Sequence, residues 1–91
     1  MEEIITDKVV LSPNPAFGVT FLDMKAFKNL SVQLRLVNQF GQEVWQNYIE
    51  KVSDFPERIT VAQFPNGLYF LQIQSKGKRV VTKKLIVNRL Y

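Results

Sequence analysis

The chain has 91 residues, of which 46% are hydrophobic and 22% charged, a composition typical of one small globular domain rather than of a disordered or coiled-coil segment. It contains no His and no Cys, which excludes disulfides, thiolate chemistry, histidine acid–base catalysis and most zinc sites. The net charge is +4, and the basic residues concentrate near the end: from Lys76 onward there are six Lys and Arg residues and no acid.

Short segments rich in Val, Ile, Phe, Tyr and Thr alternate with turn signals along the chain, and this pattern predicts β-strands. The predicted strands, in chain order, are Val9–Leu11, Gly18–Leu22, Ser31–Asn38, Glu43–Ile49, Arg58–Ala62, Leu68–Gln74 and about Arg79–Val87. Seven short strands without a capped helical segment favour an all-β sandwich or barrel. We assign residues 9–91 to this domain and residues 1–8 to a linker remnant or the start of the first strand.

Alternation of side chains predicts which face of each strand is buried. The side chains expected in the core are Val19, Phe21, Val32, Leu34, Leu36, Ile59, Val61, Tyr69, Leu71, Ile73, Val81, Leu85 and Val87. The segment Glu43–Ile49 is ambiguous, because Val44 and Tyr48 share one face while Trp45 and Ile49 share the other. It is either covered on both sides or holds Trp45 at the surface.

Glycine and proline mark the connections between strands. Gly41 and Gly77 lie where hairpins need a positive φ, and Phe64-Pro65-Asn66-Gly67 has the residues of a tight corner. In Pro13-Asn14-Pro15, each proline lacks an amide donor and favours an extended residue before it. This segment is expected to end strand pairing and to send the chain across to the other sheet.

The last predicted strand is basic, with Lys78, Arg79, Lys83 and Lys84. A solvated strand face, with Lys discouraging edge pairing, is the simplest interpretation. A surface for an acidic partner protein is the functional alternative, and nucleic acid is the least favoured partner.

Nothing in the sequence indicates catalysis. The eight carboxylates are scattered without a metal-loop spacing, and the four glycines are isolated, so no phosphate loop or cofactor site is predicted. The longest apolar run, Leu68–Leu71, is too short for membrane insertion. The aromatic residues leave one alternative open, a carbohydrate- or ligand-binding module that uses Trp45 and Tyr48 as an exposed platform.

Four sequence blocks, taken together and in this order, are similar to a known family. They are Leu11–Ala16, with Ser-Pro-Asn-Pro, then Leu36–Val44, Ile59–Tyr69 and Thr82–Val87. From Val9 to Val87 the chain resembles the type A C-terminal sorting domain of the type IX (Por) secretion system of Bacteroidota. That family usually has Asp where Asn38 stands, and Asn can form the same side-chain turn bond.

The resemblance implies an immunoglobulin-like antiparallel β-sandwich of about seven strands that acts as a non-catalytic secretion signal. It implies a cargo domain upstream, transit through the periplasm, and a final location at the cell surface or in the medium. The implied partners are the translocon or its shuttle proteins, and a sortase-like peptidase that often removes the domain before the cargo is attached to the surface.

The residues that match the family's motifs are Pro13, Asn14, Pro15, Gly41, Gly67, Tyr69, Lys84 and Leu85. Most of these are residue types that set turns or fill a core. Lys84 interrupts an otherwise apolar strand and is therefore expected to contact a partner. An exposed last strand could also pair edge to edge with a receptor strand, and dimerisation through such an edge is left open.

Overall fold

A computed structural model describes residues 8–88 of the chain. It contains seven strands: β1 (Val10–Ser12), β2 (Val19–Asp23), β3 (Val32–Asn38), β4 (Glu43–Ile49), β5 (Glu57–Thr60), β6 (Gly67–Gln74) and β7 (Val81–Val87). A single turn of 3-10 helix, Lys25–Phe27, follows β2. The strand bounds differ from those predicted by at most two residues, and of the predicted linker 1–8 only Lys8 lies within the described residues.

The strands form two antiparallel sheets, one in the order β1-β2-β5 and one in the order β4-β3-β6-β7. Apolar side chains from both sheets are completely buried, among them Leu22 and Ile59 from the first sheet and Leu34, Leu71 and Leu85 from the second. The predicted antiparallel β-sandwich of seven strands is therefore confirmed.

The predicted core faces of β3, β5, β6 and β7 are correct, whereas that of β2 is wrong. On β2, Thr20 and Leu22 face the core, while Phe21 is exposed and Val19 is half-buried. The Thr20 hydroxyl donates a hydrogen bond to the Pro13 carbonyl oxygen at 2.8 Å. Because this bond satisfies the hydroxyl, Thr20 can be buried without the cost of an unpaired polar group.

A bulge decides the orientation of β4. Trp45 lies opposite Leu36, but the next residue of β3, Val37, lies opposite Glu43, so Val44 is the extra residue. Trp45 and Ile49 consequently pack against the core, while Val44 and Tyr48 are exposed. Neither predicted arrangement of this strand is correct, since its two sides are not both covered and Trp45 is not its surface residue.

The turns follow the predicted chemistry. Gly41 and Gly77 have φ values of 81° and 75°, as hairpin positions of this kind require. Asn38 forms the expected turn bonds, because its Oδ1 accepts the amide protons of Phe40 (2.9 Å) and Gln42 (3.0 Å).

The connection between β1 and β2 reaches the other sheet, as expected, but does not join it as a strand. Both strands belong to the same sheet, and the intervening segment reaches the edge of β7 before it returns. The contacts that this segment makes with β7 define the candidate site.

Candidate recognition surface

The first and last motif blocks meet at the outer edge of β7. The Asn14 side chain donates a hydrogen bond from Nδ2 to the Lys84 carbonyl oxygen at 2.8 Å, and its Oδ1 accepts the Ile86 amide proton at 2.9 Å. One side-chain amide thus supplies the donor and the acceptor that a neighbouring strand would supply. It can do so because Asn carries both groups on one short side chain.

Ala16 continues this contact with its own backbone. Its amide donates to the Ile86 carbonyl oxygen at 2.7 Å, and its carbonyl oxygen accepts the Asn88 amide proton at 2.9 Å, which forms a parallel bridge with Val87. Asn14 and Ala16 therefore close the C-terminal half of the β7 edge. We call the contact of residues 14–16 with β7 the Asn14 joint.

The joint limits the edge pairing expected of the last strand. β7 is an edge strand of its sheet, as the sequence indicated, but the outward peptide groups of Ile86 already have partners within the chain. A partner strand could pair directly only with the N-terminal half of β7. By contrast, β4 forms the opposite edge of the same sheet. Along its seven residues it has a neighbouring strand, β3, on one side and no strand of its sheet on the other.

Thr20 attaches the loop between β1 and β2 to strand β2. Its bond to the Pro13 carbonyl oxygen joins the proline segment to β2, while Pro13 and Pro15 themselves are exposed. The peptide bonds before both prolines are cis. The sequence patterns predict no role for Thr20, although a small hydroxyl residue between the apolar residues Val19 and Phe21 is a signal for one.

Several motif residues have evident structural roles in the core or in turns. Tyr69 is buried, its hydroxyl donates to the Pro65 carbonyl oxygen at 2.6 Å, and its ring packs against that of Phe64 with centroids 5.9 Å apart. This arrangement resembles the tyrosine corner of Greek-key sandwiches. Leu85 is completely buried as well. Gly67 begins β6 and Gly41 lies in the β3–β4 turn.

The four basic residues grouped by the sequence do not form one surface. Lys78 and Arg79 precede β7, and its period of two directs Lys83 and Lys84 to opposite faces of the sheet. Lys84 is exposed on the outer face, where its cross-strand neighbour is Phe70. Among residues 8–88 the ion pairs are Lys25–Asp23, Lys28–Asp54 and Arg35–Glu43, so Lys84 has no carboxylate partner in this part of the chain.

The acidic side chains are dispersed. Asp23 bonds to Lys25 at 2.9 Å, and this hydrogen bond from Lys25 holds the pKa of Asp23 below its ordinary value of 3.8, against the smaller opposing effect of desolvation. Over the described residues no three Asp or Glu side chains come together as a metal site would require. No helix in that range is long and apolar enough to span a membrane.

The proposed aromatic platform is not formed. Tyr48 is 58% exposed, but Trp45 on the other face of β4 packs against the core. The two rings therefore cannot stack on the same ligand, and the carbohydrate-binding alternative loses the feature that suggested it.

Comparison with known proteins yields a family whose match covers the folded part of the chain. The family model described as "Secretion system C-terminal sorting domain" matches residues 10–88, from the first residue of β1 to the residue after β7. A search of the curated proteins finds no match. The family match thus spans all seven strands and both sides of the Asn14 joint.

Proposed function

The chain belongs to the family of secretion system C-terminal sorting domains, and from that premise we propose that the secretion machinery recognises the surface around the Asn14 joint. The domain is a C-terminal secretion signal for the type IX secretion system. In our proposal it acts without catalysis, as a folded shape that proteins of the translocon, or shuttle proteins that deliver to it, bind while the cargo is in the periplasm.

The proposal rests on one observation: the Asn14 joint connects residues that are far apart in the sequence. Asn14 is bonded to backbone groups that lie 70 and 72 residues further along the chain. The two motif blocks are adjacent only after the sandwich has formed, so a partner that binds both would select folded domains. A rigid joint also lowers the entropy that is lost on binding.

In this proposal Lys84 is the residue that contacts the partner protein. It is exposed, it lies on the strand that carries the joint, and the described residues offer it no ion-pair partner. An exposed cation of this kind would accelerate encounter with an acidic partner and make binding sensitive to salt.

The proposal includes two steps after transport, removal of the domain and surface attachment or release of the cargo. A sortase-like peptidase removes the domain after transport, and the cargo is then attached to the cell surface or released. If the domain dimerises through a strand edge, we expect β4 rather than β7 to form the contact, because residues 14–16 cover half of β7.

The test is a reporter fusion in a Bacteroidota host that has this secretion system. A reporter with a periplasmic signal peptide and residues 1–91 at its C-terminus should reach the surface or the medium, and the reporter without the domain should remain in the periplasm. Retention of the complete fusion in the periplasm would refute the proposed function.

Point variants then test the surface. Lys84→Gln should reduce export, whereas Lys76→Gln, a matched loss of charge in the β6–β7 loop, should leave it unchanged. Equal export of the two variants would show that the contact lies elsewhere.

A further inference from the structure

The outer face of the four-stranded sheet is divided into a polar half and an apolar half. The polar half is glutamine-rich and, apart from Val80 at its margin, consists of Gln33, Arg35, Gln46, Tyr48, Gln72, Gln74 and Thr82. The apolar half crosses all four strands. Its apolar side chains are Val37, Val44, Leu68, Phe70 and Ile86, and two charged residues lie beside them, Glu43 opposite Val37 and Lys84 opposite Phe70. A uniform solvated face would show no such division, so the apolar half calls for an explanation.

Strand register makes the apolar half continuous. Val37 lies opposite Phe70, and Leu68 lies opposite Ile86, which is 40% exposed. Opposite side chains on one face of a sheet have Cβ atoms about 4.5–5.5 Å apart. These residues therefore form one surface, which we call the apolar face.

Exposed side chains at the same end of the sheet extend this surface. Pro15 precedes Ala16, which bridges to Val87, so Pro15 lies beside Ile86 at the Asn14 joint. Phe40 is 78% exposed in the turn that connects Val37 to Val44. Large exposed side chains next to an apolar surface are typical of residues that anchor protein interfaces.

Lys84 lies within this surface. Its cross-strand neighbour is Phe70, and Ile86 follows it on the same face of β7. The nearby charges of Arg35 and Glu43 approach each other at 3.6 Å and offset one another. The apolar face thus contains one positive charge that no described carboxylate balances.

From this arrangement we propose that the apolar face, with Lys84 in it, is a docking site for a protein that presents apolar side chains around a carboxylate. The inference rests on the proposed function and names the chemistry of the partner. Apolar contact would remove water from around Lys84, and its attraction to a carboxylate increases in that drier environment.

Charge and area favour such a partner over a second copy of the chain. Each copy carries a net charge of +4, so association of two copies brings like charges together. A transient contact with a partner protein also needs less buried area than a stable dimer, which buries roughly 800 Å² on each side.

The first experiment compares two matched double variants in the reporter fusion. Phe70→Thr with Ile86→Thr alters the apolar face, and Gln33→Thr with Gln72→Thr alters the polar half of the same sheet face. Thr favours strands, so both variants should retain the fold, which thermal unfolding followed by Trp45 fluorescence would verify. We expect export to fall at least tenfold for the first variant and to change less than twofold for the second.

The outcomes separate this inference from the function on which it rests. Retention of the unaltered fusion refutes the proposed function. Normal export of the unaltered fusion together with undiminished export of a folded Phe70→Thr, Ile86→Thr variant refutes the docking site alone. If that variant proves unfolded, Lys84→Glu provides the same test, because reversing one exposed charge leaves the core intact.

The second experiment identifies the partner. A photo-reactive phenylalanine analogue replaces Phe70 in the exporting host, with the same analogue at Gln72 as control, and the cross-linked peptides are mapped. We expect Phe70 to cross-link to a protein segment that contains an Asp or Glu among apolar residues. A Lys substitution at that acid should restore export of Lys84→Glu. Cross-links to a second copy of the chain or to lipid, cross-links as abundant from Gln72, or no restoration would overturn the proposal.

Discussion

Replacing Asn14 by Ala should destabilise the domain, although the side chain lies at the surface. The substitution removes two hydrogen bonds, of 2.8 Å to the Lys84 carbonyl oxygen and 2.9 Å from the Ile86 amide. Each bond contributes a net 0.5–1.5 kcal/mol or so, and water can partly replace both at an exposed site, so we expect a loss of about 1–2 kcal/mol in the free energy of unfolding. For a domain of this size that corresponds to a fall in Tm of roughly 4–16 °C.

Asn14→Asp tests the same joint with almost no change of shape. One carboxylate oxygen can still accept the Ile86 amide proton, but the other would face the Lys84 carbonyl oxygen without a proton to donate. The loss at pH 7 should therefore equal or exceed that of Asn14→Ala. It should shrink in acid as the introduced carboxyl becomes protonated and regains a donor.

Urea unfolding followed by Trp45 fluorescence measures these changes, since Trp45 packs against the core. Amide exchange adds a local measurement: the Ile86 amide should exchange faster in the variants, and the Leu71 amide should not. Asn47→Ala is the control, because Asn47 is exposed on β4 and no side-chain hydrogen bond is found for it among the described residues. If Asn14→Ala and Asn47→Ala lower the free energy of unfolding equally, the joint does not stabilise the domain.

Three further changes test other parts of the fold. Tyr69→Phe should cost roughly 1 kcal/mol in urea unfolding, because it removes the 2.6 Å bond to the Pro65 carbonyl oxygen, and an unchanged midpoint would contradict this. Gly41→Ala should cost about 1–2 kcal/mol, because Ala disfavours the positive φ of this position, while an added Cβ meets no atom within 4 Å. Gly41→Asn should recover part of this stability in the same assay, because Asn tolerates a positive φ better than Ala. Asp23→Asn should lower stability slightly at pH 7, because the lowered pKa of Asp23 contributes stability that is lost as the pH falls below 3.8. The difference in stability between the variant and the unaltered chain should therefore shrink between pH 7 and pH 3. A difference that grows would refute the assignment.

The sequence determined the strands, the hairpin turns and most of the core. Its signals for these features are local: side chains alternate along a strand, and the residue types at Gly41 and Asn38 suit a specific turn. Adjacent positions in a strand also imply that Lys83 and Lys84 face opposite sides of the sheet, so the basic residues near β7 do not share one surface. The four motif blocks pointed to the secretion family, and the match over residues 10–88 shows that family.

Only the tertiary structure decided how Thr20, Trp45 and Asn14 are used. Burial of Thr20 depends on a carbonyl oxygen of the loop that precedes β2, and Trp45 faces the core because a bulge shifts the register of β4 against β3. The partners of Asn14 lie about seventy residues away, in a strand whose edge could have been covered in other ways. An amide side chain carries the same donor and acceptor wherever it stands, so its own sequence neighbours hold no information about which distant peptide groups will meet it.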